Sequence, residues 1–133
     1  MEIEQLKSYL PKNKSDFISV ELLRNLPKEE LEKVSFELLM WLQDINWPIS
    51  TEIIKVLIPL DIKLVPHLKK IFETNDYEWI DNCLCYLINS LSKEAIESLR
   101  EELSQFAVSE KAQLLEYDIP SVAREILNSL KLK

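Results

Sequence analysis

Residues 31–58 read LEKVSFELLMWLQDINWPISTEIIKVLI, two apolar segments joined by a short polar turn. In each segment the apolar residues recur three and four positions apart, which is the spacing of one face of an α-helix. These residues are Leu31, Val34, Leu38, Leu39, Trp41 and Leu42 before the turn, and Ile49, Ile53, Ile54, Val56, Leu57 and Ile58 after it. Pro48 stands in the first turn of the second helix, which needs no N–H there. The pattern predicts a helical hairpin.

The whole chain of 133 residues contains no glycine. A β-protein of this size depends on glycine at hairpin turns and bulges, where the backbone φ is positive. Helices can end without glycine if asparagine takes the left-handed position. Asparagine stands at three expected helix ends, Asn25, Asn46 and Asn75. These features predict an all-α protein, and the apolar periodicity divides it into about seven to eight helices. Three of them are a second helix through Phe17 to about Arg24, a third that Pro27 opens and that runs through Leu42, and a seventh that Ser92 caps and that runs through Phe106.

The hairpin is repeated once at a shift of 32 residues. The shift aligns Pro27 with Pro59, Phe36 with Leu68, Leu39 with Ile71, Met40 with Phe72, Asp44 with Asp76, Trp47 with Trp79 and Val56 with Ile88. Each hairpin leaves an apolar face that only a neighbour can cover, so the repeat predicts a short stack of antiparallel helical hairpins of the HEAT type. In that stack the two Asp-x-x-Trp turns lie side by side along one edge. A closed helical bundle is the alternative.

The composition, 47% hydrophobic and 29% charged, is typical of a globular chain and predicts a single domain over residues 1–133. The formal net charge of −7 disfavours nucleic acid and anionic membrane as partners, because both repel a negative surface. The acidic N-terminal residues differ from the basic start of a signal peptide, and no apolar run is long enough to span a bilayer. We therefore predict a cytoplasmic protein. The charge is compatible with a basic protein partner, but it is also what simple solubility requires.

Side chains that commonly carry catalysis are few and isolated. His67 is the single histidine, and no second histidine or cysteine stands near it to complete a metal site. Cys83 and Cys85 are two residues apart, a spacing that favours two separate buried thiols over a disulfide. A phosphate-binding loop would need glycine. The sequence thus predicts no catalytic residue, no metal site and no cofactor.

The turn at residues 43–48 permits two interpretations. In the structural one, Asp44 accepts backbone N–H groups and Trp47 fills the junction between the helices. In the functional one, this turn and its counterpart in the second hairpin form a recognition patch, because tryptophan is favoured at binding hot spots. Residues 11–16 form a basic loop, before a helix that Ser15 or Asp16 caps. Its lysines either are solvated or contact an acidic partner or Asp44. The candidate partner-binding residues are Gln43, Asp44, Trp47, Asp76, Trp79, Lys12 and Lys14.

Two strings carry a family resemblance. Pro11-Lys12-Asn13-Lys14-Ser15-Asp16, followed by Trp41-Leu42-Gln43-Asp44-Ile45-Asn46-Trp47-Pro48, resembles a bacterial family named domain of unknown function 5071. The resemblance runs over residues 6–130. Asp76 and Trp79 match a second block, where Ile80, Asp81 and Asn82 replace the basic residue and two aromatics that the family tends to have. The resemblance implies a helical-repeat-like domain without an established activity, so it assigns no catalytic residue.

We expect a non-catalytic protein–protein interaction module. Its small size and acidity also suit an immunity-type or regulatory protein that binds one bacterial partner. The alternative is an enzyme with a dispersed site near His67 and an edge formed by Asp44 and Asp76. Substitution of His67 or Asp44 distinguishes the binding module from the enzyme, because removing a catalytic residue abolishes turnover.

Overall fold

The computed structural model describes residues 1–131. Helices dominate this part of the chain and no β-strand occurs in it, so the all-α prediction is confirmed. The α-helices are α1 (Ile3–Lys7), α2 (Phe17–Arg24), α3 (Lys28–Glu32), α4 (Ser35–Leu39), α5 (Ser50–Leu57), α6 (Val65–Phe72), α7 (Tyr77–Tyr86), α8 (Lys93–Glu97), α9 (Arg100–Ala107), α10 (Ala112–Glu116) and α11 (Ile119–Ser129). Between them lie 3-10 segments at Met40–Leu42, Ile58–Leu64 and Ile88–Ser90. None of these helices is both long and apolar enough to cross a bilayer.

The chain divides into two compact units between Leu64 and Val65. Unit 1 spans Met1–Leu64, and unit 2 begins at Val65 and is described as far as Lys131. The predictions of one domain over residues 1–133 and of a HEAT-like stack both depend on how the units are arranged, and they stay predictions.

Two long predicted helices are each interrupted once, which is why the structure holds more helices than expected. The helix predicted within residues 27–42 breaks between α3 and α4 at Val34, whose φ of −121° is not helical. The helix predicted after Ser92 breaks between α8 and α9 at Leu99, whose φ is −104°. Both side chains at the breaks are buried. Neither break is marked by proline or asparagine, so the apolar spacing runs through them without a signal.

In unit 1, α5 packs against α2 and α4. Its buried face carries Ile53, Ile54, Val56 and Leu57. Each aliphatic side chain of this size contributes about 1.5–3 kcal/mol when it is buried rather than exposed. Helix α4, the turn that follows it and α5 thus correspond to the two helices and the connecting turn of the hairpin predicted for residues 31–58.

In unit 2, α11 packs against α9, α7 and α10. Helix α7 begins at Tyr77 because the Asp76 carboxylate accepts the N–H of Trp79 at 3.1 Å. Ser92 caps α8 in the same way, as predicted, and its hydroxyl accepts the N–H of Ala95 at 3.1 Å. Two of the sequence-predicted helix starts in this unit therefore have a side-chain cap.

Aspartate, and not asparagine, takes the backbone positions of positive φ. Asn25 does end α2, but the expected left-handed conformation of Asn25, Asn46 and Asn75 is wrong. Positive φ among the described residues occurs at Asp61 (46°) and Asp118 (58°). Asp61 has a ψ of −114° and lies outside the left-handed helical region. Asp118, with a ψ of 25°, is in that region, which aspartate tolerates better than most residues because its short carboxylate can bond to the local backbone. Aspartate substitutes here for the glycine that the chain lacks.

Candidate functional site

The turn around Asp44 is held largely by that residue. Its carboxylate accepts the N–H of Asn46 at 2.9 Å, and its carbonyl accepts the N–H of Trp47 at 3.2 Å. In a continuous helix the Asp44 carbonyl would bond to the N–H of residue 48, but Pro48 has none. A residue before proline is also disfavoured from the helical conformation. The turn therefore delays α5 until Ser50 and leaves Trp47 outside the helix.

Ser50 connects the two segments that carry tryptophan. Its hydroxyl lies 2.7 Å from the carbonyl of Trp41 and 2.9 Å from the carbonyl of Asp44, and the residue is 0% exposed. A hydroxyl has one proton, so the two carbonyls share it. Sequence reasoning missed this positioning residue. The available signal was a small polar side chain two positions after Pro48, at the start of an apolar helix.

The basic loop reaches the same turn through its main chain. The carbonyl of Lys14 accepts the N–H of Ile49 at 3.2 Å. The ammonium of Lys12 instead turns back and donates to the carbonyl of Ser8, at the end of α1. Within residues 1–131 no lysine side chain forms an ion pair with Asp44. The loop and the turn thus meet in unit 1, but the backbone of Lys14 makes the contact.

Asp16 ends this loop and caps α2. Its carboxylate accepts the N–H of Lys12 at 2.9 Å, and the N–H and hydroxyl of Ser19 at 3.1 and 2.7 Å. These bonds favour the charged form and hold the pKa of Asp16 below its ordinary value of 3.8, with the N–H of Lys12 as the largest cause. Of the two predicted caps, Ser15 and Asp16, the structure uses Asp16.

Trp41 and Trp47 meet edge to face beside an open groove in unit 1. Their ring centroids are 5.3 Å apart and their planes lie at 70°, which is a favourable geometry for two aromatic rings. The groove, named the aromatic groove here, is lined by Leu10, Pro11, Glu37, Met40, Trp41, Gln43 and Trp47. Its volume of about 270 Å³ is below the roughly 300–1,000 Å³ of pockets that hold drug-sized ligands. The size suits one or two amino-acid side chains.

One helix face supplies much of the aromatic groove. Glu37, Met40 and Trp41 are three and four residues apart, so they project from one side of α4 and the 3-10 turn that follows it. Gln43 and Trp47 come from the turn before α5. The structure therefore brings together two residues of the predicted patch and adds Glu37 and Met40, which sequence reasoning did not select.

The second Asp-x-x-Trp turn, in unit 2, has a different local structure. The carbonyl of Asp76 accepts the N–H of Ile80 at 3.1 Å, so α7 starts directly after the aspartate. Trp79 lies in the first turn of α7 and is 6% exposed. This indole is packed in the interior, whereas a recognition patch requires an exposed ring. The placement of the two turns along one edge stays a prediction.

The remaining reactive groups are dispersed. His67 is half-buried in α6. Both thiols are free, and burial is the main cause that raises the pKa of Cys83 well above its ordinary range and that of Cys85 to about 11. Thiols with such raised pKa values are poor nucleophiles because little thiolate is present. Across residues 1–131, no three histidine, cysteine or acidic side chains gather into a group that could hold a metal ion.

A family model described as a domain of unknown function (DUF5071) matches residues 9–127. The chain belongs to this family. The match includes both Asp-x-x-Trp turns and all the lining of the aromatic groove, and it confirms the resemblance seen in the sequence. No curated protein matches the chain.

Proposed function

We propose that the protein is a non-catalytic protein-binding module and that the aromatic groove is its binding site. The observation that carries this proposal is the pair Trp41 and Trp47, which are half-buried and lie with the exposed Met40 in a groove sized for side chains. Tryptophan and methionine are enriched where proteins recognise one another, and tryptophan often dominates the binding energy. A partner side chain that enters the groove removes apolar surface on both molecules from water.

The supports behind the groove favour a preformed site. Ser50 holds the Trp41 and Asp44 carbonyls, and the bond from Ile49 to Lys14 holds the loop beside the turn. A site that is already ordered loses less conformational entropy on binding than one that must become ordered. These contacts therefore support recognition by a largely rigid surface.

The proposal places this activity in the bacterial cytoplasm, where free thiols such as those of Cys83 and Cys85 are the rule. An immunity-type or regulatory role, in which the protein binds one bacterial partner, fits its acidic charge of −7. The enzyme alternative predicts that His67→Ala abolishes a turnover, whereas a binding module retains its partner in that variant.

A photo-crosslinking side chain in the aromatic groove tests the proposal. Met40 and Tyr86 are 43% and 49% exposed, so p-benzoylphenylalanine introduced at either site has a matched chance of meeting a neighbour. We expect a discrete protein adduct from position 40 in cells, no such adduct from position 86, and loss of the adduct when Trp47→Ala is added. Equal adducts from both positions, or none from position 40, contradict the proposal.

A further inference from the structure

We infer that the aromatic groove binds an arginine side chain presented by the partner protein, an inference that rests on the proposed function of the groove. Three features of the lining support it: an acidic side chain without a counter-ion, two adjacent indoles and an apolar wall. The carboxylate and the indoles match the guanidinium of the arginine, and the apolar wall matches its aliphatic stem.

Glu37 provides the charge. Among the described residues that line the groove it carries the only formal charge, and it is half-buried. It forms no ion pair within residues 1–131, whereas nearby Glu32 pairs with Lys63 at 3.7 Å. Glu37 therefore offers the groove a carboxylate that no cation of the described residues neutralises. A cationic side chain of a partner supplies the missing charge.

The indoles and the apolar wall fit the remainder of an arginine. A cation near the face of an indole is attracted by the electrons of the ring, and tryptophan is the strongest of the aromatic residues in this respect. The aliphatic stem of the same side chain can lie along Leu10, Pro11 and Met40 while its charged end reaches Glu37. Arginine fits better than lysine because its flat guanidinium can stack on an indole and donate two parallel hydrogen bonds to a carboxylate.

The charge of the whole chain agrees with a basic partner. The net charge of −7 attracts a positive surface and increases its rate of encounter. At the edge of the groove, the amide of Gln43 can both donate to and accept from the main chain of a bound segment. The occupant is thus a segment of another protein that displays an arginine, and not a free small cation.

Selection from a library of short random peptides on phage tests the inference with the full chain. Peptides that bind the wild-type protein and lose affinity for Met40→Ala are bound in the aromatic groove. We expect these peptides to share an arginine. Replacing that arginine by citrulline, which has the same shape without the charge, should weaken binding on the order of tenfold to a hundredfold. Groove-bound peptides that lack arginine, or that tolerate citrulline, overturn the inference.

Two matched variants identify the acceptor of the charge. Glu37→Gln and Glu110→Gln remove one negative charge each, and Glu110 is an exposed residue of unit 2 outside the groove. We expect Glu37→Gln to weaken the binding of the arginine peptides about as much as the citrulline replacement does. Glu110→Gln should change their affinity less than about twofold. In the Glu37→Gln variant, replacing the arginine of the peptide by citrulline should weaken binding little further. Equal affinities of the two variants overturn the inference.

The same data separate this inference from the proposed function. If no selected peptide depends on Met40, the groove is not a binding site and the proposed function fails with it. If the peptides depend on Met40 but not on Glu37, the groove binds partners and the arginine inference alone is wrong. Thermal unfolding of each variant checks that the fold is intact.

Discussion

At Asp76 the chain turns directly into a helix, whereas after Asp44 the next helix begins only at Ser50. The two aspartates are each followed three residues later by tryptophan, and the decisive difference is the residue after it. Ile80 donates its N–H to the Asp76 carbonyl, but Pro48 has no N–H to donate to Asp44. One missing donor therefore converts a helix start into a turn.

The two turns place their indoles in different surroundings. The helix start places Trp79 in the interior of the chain, at 6% exposure, while the turn leaves Trp47 half-buried beside Trp41 at the surface groove. We conclude that one turn mainly stabilises the fold, and we propose that the other presents a binding surface.

The largest expected effect distinguishes the two tryptophans. Trp79→Ala removes a buried indole and should lower the free energy of unfolding by about 3–5 kcal/mol. Trp47→Ala removes an indole that is already partly in contact with water and should cost less; its edge-to-face contact with Trp41 contributes about 0.5–1.5 kcal/mol of that loss. Urea unfolding of both variants measures the difference. Equal losses would show that the two turns have the same structural role.

Ser50 tests how firmly the exposed turn is supported. Ser50→Ala leaves the Trp41 and Asp44 carbonyls without their shared donor and should cost about 1–3 kcal/mol. Ser35 is a matched control, because it is also buried and its hydroxyl bonds to a single carbonyl, that of Glu32, at 2.9 Å. A loss in Ser50→Ala no larger than that in Ser35→Ala, measured by urea unfolding, would argue against the bridging role.

Substitutions of Asp76 and Asp44 should differ less in their effect on stability than those of the two tryptophans. Asp76→Ala removes a helix cap and is expected to lower the free energy of unfolding by about 1 kcal/mol. Asp44→Ala removes one exposed bond to the N–H of Asn46 and should cost less, because water replaces that bond. Thermal unfolding of the two variants side by side gives the comparison. A larger loss of stability in Asp44→Ala than in Asp76→Ala would contradict this expectation.

The smallest effect concerns pH and the loop that supports the exposed turn. The pKa of Asp16 is lower in the folded protein than its ordinary 3.8, so its stabilising contribution is complete above that value. The contribution is lost as the pH falls below 3.8 and through the lower folded pKa. Asp16→Asn should therefore flatten the decline of stability over acidic pH, measured as urea midpoints from about pH 6 down to about pH 3. An unchanged decline would contradict the assigned cap.

The sequence predicts helices well where apolar spacing and caps agree. Helix α2 at Phe17–Arg24 and the Ser92 cap occur where they were predicted. The breaks at Val34 and Leu99 were not predictable, since only the packing of buried side chains on both sides of each break distinguishes these residues from helix interior.

The candidate site was predictable only in part. Trp47 and Gln43 stand in a turn of unusual composition, and they were selected because tryptophan is favoured at binding hot spots. Glu37 and Met40 have ordinary positions on an amphipathic helix, and their role depends on Leu10 and the neighbouring proline, which approach from a distant part of the sequence. Periodicity assigns a residue to a helix face, but it does not show which other segments complete a groove.

Fluorine NMR of the protein labelled with 5-fluorotryptophan gives the most direct test, because the chain has three tryptophans, whose signals can be assigned by single Trp→Phe variants. An arginine-containing peptide selected on the groove is titrated into the labelled protein. We expect the signals of Trp41 and Trp47 to shift with the same saturation curve, while that of Trp79 stays in place. A stationary Trp47 signal, or a Trp79 signal that moves as far, would contradict the assignment of binding to one turn and of folding to the other.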